Sequence, residues 1–276
     1  MLKCPNCGQK TERTRDFACQ WCAYPLIPKE YYWEPIVYLL AITGAETVTV
    51  IVQPLWGIVC HTIILVAAIV HSSLASDYRY RHLALSLALV PLVRIISLCM
   101  PLANIPQMWW YPIIYAPLLV AALLVVRILG YKPGQVGLTL GWLPVQLAIA
   151  LTGLAFGVAE YFILTPQPLI AELTWQQIWL PALIFIVCTG FVEEFIFRGV
   201  LQRTAVEVFG WWGIIYVSLL FAVLHMGFLS WIDVIFVLAV ALFFGWVVKK
   251  TGSLFGVTLA HGITNIMLFL IMPFFV

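Results

Sequence analysis

The chain has 276 residues; 63% are hydrophobic, only 14 are Lys or Arg and 12 Asp or Glu, and the formal net charge is +2. A soluble domain carries about a quarter charged residues, so this composition excludes a soluble globular enzyme and a disordered chain. It also gives no basic field for nucleic acid. What remains is an all-α polytopic membrane protein.

The first 34 residues differ from the rest, holding nine of the charged side chains. They read Cys4-Pro5-Asn6-Cys7, eleven further residues, then Cys19-Gln20-Trp21-Cys22. Two Cys-x-x-Cys pairs can close one tetrahedral Zn²⁺. A segment this short builds no core, so a metal staple is the natural way to fold it. Residues 1–34 are therefore expected to be a zinc-ribbon-like head with a structural Zn²⁺ on Cys4, Cys7, Cys19 and Cys22. Thiolate zinc fits a reducing compartment and no signal-peptide core is present, which puts the N-terminus in the cytosol. The head also offers a surface for a protein partner. Cys60, Cys99 and Cys188 lie in apolar runs and read as core filler.

A membrane span needs roughly 20 apolar residues. Candidates fall near 35–53, 56–75, 83–101, 109–129, 142–164, 177–200, 211–228, 231–248 and 253–273. That is about nine spans, alternatively eight. With the head cytosolic, the basic loop residues Arg79, Arg81, Arg127, Lys132, Arg198, Arg203, Lys249 and Lys250 all fall on the inner face, as the positive-inside rule demands. Glu160 and Glu172 fall on the outer side, and the C-terminus is outside. The stretch 203–210 is expected to lie along the inner interface. Asp77-Tyr78-Arg79-Tyr80-Arg81-His82 reads as a headgroup anchor, and Trp109, Trp110, Trp211 and Trp212 fit the same belt.

Charges within spans are costly and need partners. Glu46, Arg94 and Asp233 read as structural pairing groups, with His61 and His71 behind them. The sharpest cluster is Glu193-Glu194-Phe195-Ile196-Phe197-Arg198. Glu194 and Arg198 are four apart and can pair on one helix face. Glu193 points about 100° away and lacks that partner. His225, and His261 with Asn265 one turn on, lie on two further spans. Counted at 1.5 Å per residue from the basic ends, Glu193 and His261 sit roughly 15 Å deep and His225 roughly 21 Å. Four such residues near one level predict a buried polar site.

These three motifs, Glu-Glu-x-x-x-Arg at 193–198, Phe-x-x-x-His at 221–225 and His-x-x-x-Asn at 261–265, resemble those of the CPBP family. Its members are intramembrane glutamic proteases related to CAAX prenyl endopeptidase II, also called the Abi family. The resemblance covers residues 142–276, a CPBP-like catalytic core; residues 35–141 are transmembrane helices without a family motif. It implies that Glu193 activates water with help from His225, that His261 and Asn265 hold the oxyanion, and that Glu194 and Arg198 complete the motif. It implies no catalytic cofactor. The expected partners are the lipid bilayer and a membrane-associated peptide or protein substrate, and the expected location is a bacterial plasma membrane.

Three rival readings share the same residues. Glu193, His225 and His261 can be ligands of a catalytic Zn²⁺ in a metalloprotease, although no His-Glu-x-x-His helix is present. Membrane-embedded Glu and His can be the relay of a proton-coupled transporter, although no internal repeat is evident. A non-catalytic immunity or scaffold protein would use the head to bind its partner.

Overall fold

The computed structural model describes residues 2–4, 7–11, 19, 21 and 33–275. Cys22, the fourth expected zinc ligand, lies outside the described residues. Among the described residues, eight helices are long and apolar enough to cross a membrane: α1 (Trp33–Val52), α2 (Pro54–Leu74), α3 (Tyr78–Cys99), α4 (Gln107–Leu129), α5 (Leu143–Leu164), α6 (Trp175–Phe209), α8 (Trp231–Thr251) and α9 (Phe255–Phe274). A shorter apolar helix, α7 (Trp212–Phe228), is inserted between α6 and α8. All nine expected segments are thus helical, and the two counts differ only in how α7 is taken.

In the head, β1 (Leu2–Lys3) pairs antiparallel with β2 (Lys10–Thr11). The turn between them is fixed by bonds from the Cys4 amide to the Gln9 carbonyl and from the Gly8 amide to the Cys4 carbonyl, each 2.9 Å. Gly8 takes the left-handed φ of 72° that this turn needs.

The helices share one core. Fully buried Ile42, Leu89, Leu118, Phe195, Leu220 and Val257 come from α1, α3, α4, α6, α7 and α9 and belong to the same cluster. The motif-free helices are therefore not a separate body from the motif-bearing ones.

Two contacts set how closely the motif helices approach. Gly153 and Gly157 of α5 lie directly on the backbone of Ala260 and Thr264 in α9, where a Cβ would collide. Gly262 of α9 lies on Ile186 of α6, where an added Cβ would be 2.8 Å from the Ile186 Cα. Without a hydrophobic drive between helices in lipid, such small-residue contacts are a main source of packing. Gln146 adds a polar clamp, its Oε1 accepting from the Gly256 amide at 2.7 Å.

α6 is wound unusually. Phe185–Glu193 and Phe195–Leu201 form i→i+5 turns, interrupted only at Glu194. Such π turns are rare and concentrate at functional sites. The segment from Gln202 to Phe209 is the last stretch of this same helix rather than a separate interfacial one.

Several expectations need correction. Glu160 is not in an outer loop; it is buried on α5, whereas Glu172 is exposed. Asp233 is fully buried, yet neither carboxylate oxygen has a hydrogen-bond partner among the described residues. It does not pair as Glu46 and Arg94 do. Arg79 and Tyr80 turn inward, 4% and 3% exposed, and Asp77 caps α3 by accepting from the Arg79 amide at 2.9 Å. α3 packs against the end of α6 here, so these two side chains face the bundle, while Tyr78 and Arg81 remain exposed. Cys188 is buried and Cys60 packs on the core, but Cys99, near the end of α3, is exposed.

Candidate active site

The long helix α6 delivers its two adjacent carboxylates to different surroundings. Glu194 is fully buried; its Oε1 accepts from Arg198 Nη1 at 2.9 Å and lies 2.9 Å from His261 Nδ1. Arg198 is itself 2% exposed, and its guanidinium carbon stacks 4.3 Å from the Phe221 ring centre. Three motifs on three helices are thereby tied together. Glu193 faces away from this knot. Its Oε1 accepts from the hydroxyl of Tyr115 on α4, and its Oε2 lies 3.8 Å from His261 Nε2.

Glu193 opens on a cavity of about 200 Å³ that His225, His261 and Asn265 also line. The four side chains expected to meet do line one cavity between the helices, with the exposed Phe228 also in its wall. No hydrogen bond joins Glu193 to His225 among the described residues; both border the same space. A smaller neighbouring space shares Glu160, Phe221, His225, His261 and Asn265 and adds Glu194 and Arg198 to its walls. The six motif residues therefore divide into four at the cavity surface and two behind it.

Local bonding sets what each ring can do. His225 Nδ1 is 3.0 Å from the Phe221 carbonyl oxygen. A carbonyl only accepts, so Nδ1 carries the hydrogen. Nε2 of the neutral ring is then a free acceptor for a proton. This follows from the end of α7, where the last turns tighten to a 3-10 form over Leu224–Phe228 and leave helix carbonyls to be met by side chains. His261 is held by Glu194 at Nδ1, so Nε2 is the nitrogen nearer Glu193. Asn265 uses one amide hydrogen on Thr189 Oγ1 at 2.8 Å, and its other remains to be used. The arrangement sets a carboxylate and a basic imidazole nitrogen beside an imidazole and an amide that can donate.

The cavity has walls that the motifs did not reveal. Tyr111, Tyr115 and Arg94 come from helices without a motif, Glu160 from α5 and Thr189 from α6. Arg94 forks onto Glu46 with two 2.6 Å bonds and donates from Nη2 to the Leu224 carbonyl at 2.8 Å, next to His225. His61 Nε2 lies 3.1 Å from Glu46, with both side chains fully buried. Buried charge within an apolar span was the available signal for Glu160 and Arg94; nothing in the sequence distinguishes Tyr111 or Tyr115 from other aromatic residues.

The cysteines of the head also converge. The sulfurs of Cys4, Cys7 and Cys19 lie within 4.8 Å of one another, with Cys7 and Cys19 at 3.6 Å. Sulfurs on a tetrahedral Zn²⁺ at about 2.3 Å would stand about 3.8 Å apart, so the donor set fits that ion. Among the described residues this is the one group of three or more His, Cys, Asp or Glu ligand atoms gathered so closely. Glu193, His225 and His261 are not gathered to that degree.

Fold and site together define a polytopic helical membrane protein with a buried Glu/His/His/Asn cavity. Residues 174–267 match the family described as type II CAAX prenyl endopeptidase Rce1-like. That segment contains all three motifs and is similar to the CPBP/CAAX protease family, in agreement with the resemblance read from the residues. No curated protein and no solved structure matches the chain.

Proposed function

We propose that the chain is an intramembrane endopeptidase that hydrolyses a peptide bond with water activated by Glu193 and His225. The observation that carries this reading is the meeting of Glu193, His225, His261 and Asn265 on one cavity in the bundle interior. Water attacks the scissile carbonyl carbon while Glu193, through the oxygen that Tyr115 leaves free, or His225 Nε2 takes its proton. The oxyanion that forms accepts hydrogen bonds from Asn265 and from His261, which donates at Nε2 while bound to Glu194 when it carries both protons. When the C–N bond breaks, the same proton passes to the leaving amine. Glu194 and Arg198 act from behind, fixing the His261 ring.

Similarity to CAAX-type proteases supports a substrate carried at or in the membrane, and the paucity of charge supports an integral membrane location. We place the N-terminus in the cytosol of a bacterial cell, because the basic loop residues then share the inner face. Cys4, Cys7 and Cys19, with Cys22, hold a structural Zn²⁺ that folds the head. Four thiolates would leave no open position on such an ion, so its role would be structural rather than hydrolytic.

The test is reconstitution of the full chain in liposomes with a panel of membrane-anchored peptides, read by mass spectrometry of the products. Wild type is expected to cut and Glu193→Gln to fall by about 10²–10⁴-fold. Equal turnover by the two proteins would overturn the assignment.

A further inference from the structure

A second pocket, of about 340 Å³, lies outside the cavity between the 134–137 loop, the last turns of α6 and the end of α8. Its polar wall is Gln135, Arg198, Gln202, Arg203 and Lys249, and among the described residues no acidic side chain lines it. Arg203 shares its charge with Glu207 at 2.9 Å. Tyr131, whose hydroxyl burial and the Glu207 carboxylate push well above the ordinary range, donates to Glu207 at 2.8 Å and keeps that acid turned aside. Lys249 has no ion-pair or hydrogen-bond partner among the described residues. The carbonyl end of α8 adds only about half a negative charge, less than the one lysine.

The deepest group in this wall shows a vacant donor. Arg198 uses Nη1 on Glu194, and its flat face lies on Phe221. Its buried Nη2 meets no hydrogen-bond partner among the described residues. An unmet charged donor out of water is costly; Arg198 also borders the pocket, so an anion seated there lies beside its guanidinium, and a small side-chain shift brings Nη2 into reach. The pocket also sits where basic loop residues gather, at the end of the bundle that holds Arg203 and Lys249. Basic pockets between membrane helices on the positive side suit phospholipid headgroups.

We propose that this pocket binds a phosphate-bearing anion, with Lys249 and Arg203 at the rim and Arg198 at the base. The same chemistry is presented by an anionic phospholipid headgroup and by free phosphate. Binding here is independent of whether the chain hydrolyses peptides.

The full chain is purified in neutral detergent and its melting temperature followed during titration with phosphatidylglycerol, phosphatidylcholine or inorganic phosphate. Phosphatidylglycerol is expected to raise the melting temperature saturably, with phosphatidylcholine inert. Lys249→Glu should weaken the apparent affinity by about fivefold or more. Val206→Trp, which thrusts a bulky ring into the pocket and leaves its charge alone, should weaken or abolish the shift. A shift with phosphatidylglycerol alone identifies a lipid; an equal shift with inorganic phosphate identifies the free anion. The absence of any shift, or shifts of the same midpoint in wild type and both variants, would overturn the proposal. Should Lys249→Glu fail to fold, the Val206→Trp comparison decides alone.

Discussion

The hydroxyl of Tyr115 donates to Glu193, so a helix that carries no motif holds the carboxylate on which the proposed chemistry turns. The bond occupies one oxygen and leaves the other toward His261 and the cavity. Tyr115→Phe removes the donor and keeps the ring. Turnover is expected to fall by about tenfold with KM within about twofold, since the group acts on the reacting carboxylate rather than on substrate binding. Steady-state cleavage by the reconstituted protein checks this.

The Glu46–Arg94 pair supports the backbone beside His225 rather than the reaction itself. Glu46 is fully buried and bonded by Arg94 through two 2.6 Å bonds. Removing one member of such a pair leaves an uncompensated buried charge, a cost of about 3–5 kcal/mol. Glu46→Ala should therefore lower the melting temperature strongly. Glu46→Met with Arg94→Met should recover much of it. Thermal unfolding in detergent distinguishes the two.

Glu160 is the residue whose role is most open to measurement. It lines the cavity beside Glu193 and His261, yet stands outside the three motifs. Glu160→Gln preserves shape and removes the acid. We expect folding to be retained and kcat to fall by about tenfold, which far-ultraviolet circular dichroism and cleavage rates check together.

Gly157→Val tests the approach of α5 to α9. Its added carbons meet the Thr264 backbone and Met267, and overpacking of this kind costs about 1–3 kcal/mol. The displaced α9 carries His261 and Asn265, so activity should drop further than stability. Melting temperature and turnover of the variant give the comparison.

Zinc and hydrolysis should separate. Metal analysis of the purified chain is expected to return one Zn²⁺, lost in Cys4→Ser. A chelator that strips it should leave the cleavage rate of the membrane portion within about twofold, because the thiolate site is closed. Parallel loss of metal and activity would instead favour a catalytic ion.

The motif residues were readable because a charge in an apolar helix is expensive and has to be explained. Glu193, Glu194, Arg198, His225 and His261 stand out for that reason, with the polar Asn265 one turn from His261, and depth counting brings Glu193, His225, His261 and Asn265 to within about a helical turn of one level. Glu160 was misplaced because it lies only four residues from the end of α5, where a carboxylate can equally be solvated. Tyr115 costs nothing in an apolar run, so no local signal marks it; its role exists only once α4 packs on α6. The π winding of α6 was also hidden, since spacing was read against an α-helical turn. Gly153 and Gly157 have the spacing of a small-residue contact, but only the folded chain shows that α9 is what they meet.

The core that joins helices with and without motifs bears on what can be cut away or exchanged. Arg94, Tyr111 and Tyr115 precede the family-matched segment, yet they line the cavity that its motif residues share. Expressed alone, residues 174–267 would lack the cavity wall that Arg94, Tyr111, Tyr115 and Glu160 supply. Grafting the segment onto a relative's front half would demand a matching tyrosine and a matching arginine there. Positions 94 and 115 thus reach positions 224 and 193 directly, across a stretch of chain that no short signature spans.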